Sequence, residues 1–172
     1  MTNDVAIAIR KFMVGRLKNE VKTTKKVIQA IPEDKEKSSY KHDPKSRTAW
    51  ELAWHLAGVD VHFLEGIPEL SFASMANEAE FLKKNEPQTI AAMAEWYEKE
   101  MERVIDRVNK MTPEQLATDI EFFMYKQPAV EYLGFVTNHS VHHRGELATY
   151  LRPMGSKVPS IYGPSADEGF GG

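Results

Sequence analysis

The stretch Asn138-His139-Ser140-Val141-His142-His143-Arg144-Gly145-Glu146-Leu147 places three of the chain's six histidines within five residues. On a helix, His139 and His143 are separated by a rotation of about 40° and a rise of about 6 Å. Both imidazoles then leave one face, one turn apart, within reach of a single metal ion at the usual ~2.1 Å. A histidine pair at this spacing can equally be a polar patch. The decision turns on which way the face points and whether the chain offers a third ligand.

The surrounding residues make 128–152 a helix. Tyr132, Val136, His139, His143, Leu147 and Tyr150/Leu151 recur at steps of three and four. Pro128 suits its first turn. The pair is thus expected on the apolar seam, between Val136 and Leu147, with His142 about 60° to one side of His139. Gly145, in mid-helix, costs ~1 kcal/mol relative to alanine, which a close helix crossing or a near ligand would justify.

Three more stretches carry the same period. Residues 3–31 read as a helix capped by Asp4 or Asn3, with Val5, Ile9, Phe12, Leu17, Val21, Thr24 and Ile28 on its stripe and Pro32 stopping it. Its basic residues read as a solvated face. Residues 47–66 read as a second helix, opened by the capping box Thr48-Ala49-Trp50-Glu51 and ended by Gly66-Ile67-Pro68. Residues 87–111, with Pro87 at the first helical position, form a third. Between them, 32–46 is a polar loop whose His42 has no assigned role. The connection 68–86 holds a short helical piece over 74–84 that could span the molecule or cover a pocket. Thr112-Pro113-Glu114-Gln115 is another capping box, and 119–127 is bulky and extended. The Pro/Gly-rich tail, 153–172, is expected to pack back on the helices through Val158, Ile161 and Tyr162, with Gly169 to Gly172 loose.

Four long amphipathic stretches and little strand signal predict an all-α, single-domain four-helix bundle over 1–172. His55 then gains meaning. It replaces an apolar residue on the seam of the second helix, and alone it reads as a core histidine bonded to a carbonyl or tyrosine. Three histidines entering one core from two helices point instead to a His-only metal site. Such a site leaves coordination positions open, as catalytic rather than structural sites do. His62, about 10 Å further along the helix than His55, is too far to share the ion. It is expected, with His142 and Arg144, to stand behind the ligands or line the pocket. Imidazole suits zinc, nickel, copper and iron.

Composition narrows the rest. The 172 residues include no cysteine, which excludes disulfides, thiolate zinc sites and a cysteine nucleophile, and fits a reducing cytoplasm. A formal net charge of −3 provides no field for nucleic acid or an anionic membrane. No apolar run reaches the ~20 residues of a membrane span, and the amino terminus lacks the pattern of a signal peptide. The absence of Glu-x-x-His argues against a ferritin-like di-iron site.

The sequence resembles the DinB/YfiT-like superfamily. Trp54-His55-Leu56-Ala57-Gly58 is similar to that family's histidine segment on the second helix. His139 through Leu147 is similar to its fourth-helix signature, although Glu146 stands where glutamine is frequent. Leu151-Arg152-Pro153-Met154-Gly155 and Pro159-Ser160-Ile161-Tyr162-Gly163 are similar to its carboxyl-terminal segment. The resemblance implies His55, His139 and His143 as the metal triad, an up-down-down-up bundle with a long crossover, and a homodimer. It implies a divalent transition metal, zinc or nickel foremost, with iron or manganese as alternatives. Relatives include thiol-dependent S-transferases and a mycothiol-dependent maleylpyruvate isomerase. The expected function is therefore activation of a low-molecular-weight thiol for transfer to a small-molecule substrate, with Arg144 and Tyr162 as candidate groups for holding the thiol. A hydrolase using metal-bound water, or a non-catalytic metal- or ligand-binding protein, are the competing readings.

Overall fold

The computed structural model describes residues 1–169 and is mostly helical; of the loose end expected over Gly169 to Gly172, all but Gly169 lies outside the described residues. Helix α1, Asn3–Gln29, is capped by the Thr2 hydroxyl, which accepts from the Val5 amide, rather than by Asp4 or Asn3. Its buried face runs through Ala6, Val14, Leu17, Glu20, Val21, Thr24 and Ile28. Val5 and Phe12, expected on this stripe, face outward instead. The polar loop that follows carries the short helix α2, Lys35–Ser38, capped by Asp34.

Helix α3, Ala49–Glu69, opens on the expected Thr48/Glu51 capping box but runs on through Pro68. What stops it is Leu70, in the left-handed region at φ 53°, where its amide turns back to the carbonyls of Gly66 and Ile67. A proline in the last turn loses only one helical hydrogen bond, so it does not end the helix by itself. Gly66 permits the reversal: a Cβ there would collide with the Phe72 ring and come within 2.8 Å of the Ser71 carbonyl.

The connection to the next long helix holds a 3-10 turn, Ala73–Asn77, and helix α4, Glu78–Asn85. It lies on α3, with Leu82 filling the space over Gly58 and Phe81 stacked on His62 at 4.2 Å. Helix α5, Ile90–Asn109, starts later than Pro87 suggested. Thr89 is its cap, and the Glu33 carboxylate accepts the amides of Ile90 and Ala91 at 3.0 and 2.8 Å. These are donors with no partner inside the helix.

Helix α6, Pro113–Ala117, uses the second capping box. The bulky segment after it becomes an antiparallel hairpin, β1 (Asp119–Phe122) with β2 (Tyr125–Pro128), pairing Ile120 with Gln127. This small sheet departs from the all-α expectation. After a 3-10 turn, helix α7 spans Tyr132–Leu151. Helix α1 packs against α5 and α7, and α3 packs against the same two helices. One contiguous apolar core lies among them, and Val158 and Ile161 of the tail pack against it. Among the described residues, Gly145 has no atom of another helix within 4 Å of where its Cβ would stand, so a close helix crossing does not explain it.

The core also holds a charge pair. Arg144 is only 1% exposed, and its guanidinium meets the buried Glu20 carboxylate at 2.7 Å. It also donates to the Glu20 carbonyl and the Thr24 hydroxyl, at 3.3 and 3.2 Å, and to the Tyr162 hydroxyl. Tyr162 in turn donates to Glu20 Oε2 at 2.7 Å. Removing one member of such a pair leaves a buried charge uncompensated, so Glu20→Ala is expected to lower stability by about 3–5 kcal/mol. Urea denaturation measures this. A loss below ~1 kcal/mol would show that water reaches the guanidinium.

Candidate metal centre

The packing of α3 on α7 brings His55 beside His139 and His143. Ring centroids are 5.3 Å apart for His55–His139, 4.8 Å for His55–His143 and 4.5 Å for His139–His143. One ligand nitrogen from each lies within 4.8 Å of the others, close enough for one divalent ion to reach all three after small side-chain rotations. The three are half-buried. They occupy the rim rather than the seam: the buried face of α7 is Leu133, Val136, Thr137, Ser140, Arg144, Leu147 and Leu151. Each histidine of the pair sits one residue, or about 100°, from a seam position. At the rim the His139 and His143 side chains stay partly exposed, at 17% and 14%.

His139 is held from behind by a residue the sequence reading passed over. Asp60, on α3, is 1% exposed, and its Oδ1 accepts from His139 Nδ1 at 2.7 Å. Its Oδ2 accepts from the Tyr97 hydroxyl of α5 at 3.0 Å and from the Ser140 hydroxyl of α7. A carboxylate accepting on both oxygens requires the proton of His139 to sit on Nδ1. That leaves the Nε2 lone pair for a cation, an arrangement recurrent behind metal-binding histidines. Burial, and then the Asp60 charge, push the Tyr97 hydroxyl well above its ordinary value, so it stays a donor.

His143 is held more loosely, with Nδ1 3.2 Å from Glu146 Oε2. Burial and the neighbouring His139 keep it below its ordinary value, against the opposing pull of Glu146. His55 is lowered to about 4, by burial first and by the positive charge of Arg47 second. Both rings are therefore neutral, and competent as ligands, at neutral pH.

The other expected site residues fall elsewhere. His62 is buried under α4, with Nε2 3.0 Å from the Ser74 carbonyl. Arg144 turns away into its pair with Glu20, and Tyr162 follows it, so neither lines the histidine face. His142 is exposed and stands against the His143 ring at 4.7 Å. Arg47, just ahead of the α3 cap, is exposed and acts on His55 through its charge; it is the basic residue the sequence reading missed. His42, given no role, is clamped by Tyr40 and Thr149 at 2.9 and 3.0 Å and packs on the Tyr150 ring.

These features define a helical protein with an anchored three-histidine group able to hold a metal ion. The chain belongs to the DinB family, whose family model matches residues 9–169. It is 24% identical over 152 residues to the uncharacterized protein YrdA of Bacillus subtilis, covering 87% of this chain and 85% of that protein. Two crystal structures share the fold. The DinB-like protein YjoA of Bacillus subtilis is 26% identical with a TM-score of 0.66, over 84% of this chain and 92% of that one. A DinB-like protein from Bacillus cereus is 24% identical with a TM-score of 0.70, over 87% and 95%.

Two outcomes follow from the electrostatics. His55 binds no proton in the fold until about pH 4, but does so near 6.5 once unfolded. Between those values the unfolded state holds the extra proton, so metal-free protein loses stability as pH falls through that window. Thermal melts should show the loss, and His55→Ala should flatten it. Asp60→Asn cannot serve all three donors, and zinc affinity is expected to drop about 10–100-fold in a chelator competition titration. Unchanged affinity would mean that something else orients His139.

Proposed function

We propose that the protein is a metal-dependent enzyme of the S-transferase kind, in which His55, His139 and His143 hold one divalent transition metal and a low-molecular-weight thiol is activated for transfer to a small electrophile. The observation that carries this reading is the set of three half-buried imidazoles from two helices whose ligand nitrogens lie within 4.8 Å of one another. A bound ion would lower the thiol's pKa and hold the nucleophilic thiolate. Zinc or nickel suits the all-imidazole donor set best, with iron or manganese as alternatives. Asp60 fixes the tautomer of His139, and Glu146 braces His143. Arg47 is the basic group at the rim available to a substrate's anionic part.

A hydrolytic reading requires a carboxylate free to take a proton from water. Asp60 and Glu146 are each engaged behind an imidazole, which favours thiol transfer. The same reading takes the whole chain as one domain, an up-down-down-up four-helix bundle whose long crossover is the α4-containing connection, working in the cytoplasm as a homodimer. No helix among the described residues is long and apolar enough to cross a membrane.

Elemental analysis of purified, untagged protein tests the site. About one transition metal per chain is expected, sharply reduced in His55→Ala, His139→Ala and His143→Ala but retained in His42→Ala. Loaded protein should then consume a thiol in the presence of an electrophile. Metal without any thiol turnover would favour a binding role, and a chain that takes up no metal after loading would remove the enzyme reading.

A further inference from the structure

The four imidazoles do not end at the triad. His142, His143 and Glu146 form a second group whose ligand atoms also lie within 4.8 Å of one another, and it faces solvent. His142 and Glu146 are four apart on α7, so they project from one face of the helix. His143 stands between the two groups. Its Nδ1 lies 3.2 Å from Glu146, and its ring centroid is 4.8 and 4.5 Å from those of His55 and His139.

We infer that His142, His143 and Glu146 form an outer position for a divalent transition-metal cation, at which the ion is captured before it passes to the inner triad. The inference rests on the inner triad holding a cation, as proposed above. A neutral imidazole has one lone-pair nitrogen and one N–H. His143 therefore serves one position at a time. With the ion outside, Nδ1 is the ligand and the proton sits on Nε2. With the ion inside, Nε2 is the ligand and the Nδ1 proton is donated to Glu146. The transfer moves one proton between the two nitrogens, by exchange with water, and leaves the net charge unchanged.

The ligand sets explain the direction. Two of the three outer ligands are solvent-exposed side chains, whereas the inner set is half-buried and includes His139, pinned by Asp60. Pre-positioned ligands lose less freedom on binding, so the inner position is the tighter. The exposed Glu146 carboxylate supplies the outer position with the negative charge that attracts a cation from solution.

Zinc uptake by metal-free protein, followed by stopped-flow against a chromophoric chelator, tests this. His142→Ala is expected to slow uptake several-fold while leaving equilibrium zinc affinity close to that of the unchanged protein. His142 is exposed, so the substitution leaves the core intact. His139→Ala, which disables the inner position, should retain weak zinc binding that His139→Ala/His142→Ala loses. Uptake by His142→Ala at the unchanged rate would overturn the outer position and leave the triad standing, as would weak binding that persists in the double variant. A fall in equilibrium affinity as large as that of His139→Ala would make His142 an inner ligand and also overturn it. An unchanged chain that binds no zinc would remove the triad reading and this inference together.

Discussion

The Asp60 carboxylate is the point through which three helices act on one imidazole. It sits on α3, takes a proton donor from Tyr97 of α5, and takes two more from Ser140 and His139 of α7. A carboxyl group this deeply buried is tolerable only when its oxygens have hydrogen-bond partners. The fold satisfies that requirement with groups from two other helices, so the helices cannot slide past one another without leaving buried polar atoms unpaired. The orientation of His139 is thus a property of the helix packing and not of α7 alone.

A buried charge pair, Glu20 with Arg144, performs the equivalent task between α1 and α7. The two anchors divide the faces of α7. Ser140 and Arg144, on the buried side, tie the helix to its neighbours. His139 and His143, one position before each of them, turn the adjacent side toward solvent. Adjacent residues therefore carry unlike tasks, and the rotation of about 100° between neighbours on a helix is what separates them.

Much of this arrangement was legible in the sequence. The His139/His143 spacing, the two capping boxes and the four periodic stretches each rest on interactions within a few residues, and such signals survive without tertiary knowledge. The phase of the seam on α7 was not legible, because Ser140 and Arg144 look like surface residues until their buried partners are known. Asp60 lay in the apolar run Ala57-Gly58-Val59-Asp60-Val61, a charge where none is expected, which was the available signal for a buried anchor. Its partners come from 37 to 80 residues away, and no local pattern names them. The start of α5 was missed for a similar reason: Glu33 reaches over to cap it, 57 residues away along the chain. The end of α3 was missed for a local one: Leu70 turns back to Gly66 and Ile67 in a left-handed conformation that a leucine rarely adopts.

The Glu20–Arg144–Tyr162 cluster bears on how the chain is made. Synthesis runs from the amino terminus, and 124 residues separate Glu20 from Arg144. Before Arg144 is made, the cation within salt-bridge range of Glu20 is Arg16 of its own helix, at 3.9 Å. Its buried partner, and the Tyr162 hydroxyl that also bonds to it, come from the far end of the chain. The pair that ties α1 to α7 is therefore completed only once α7 and the Tyr162 segment have been made.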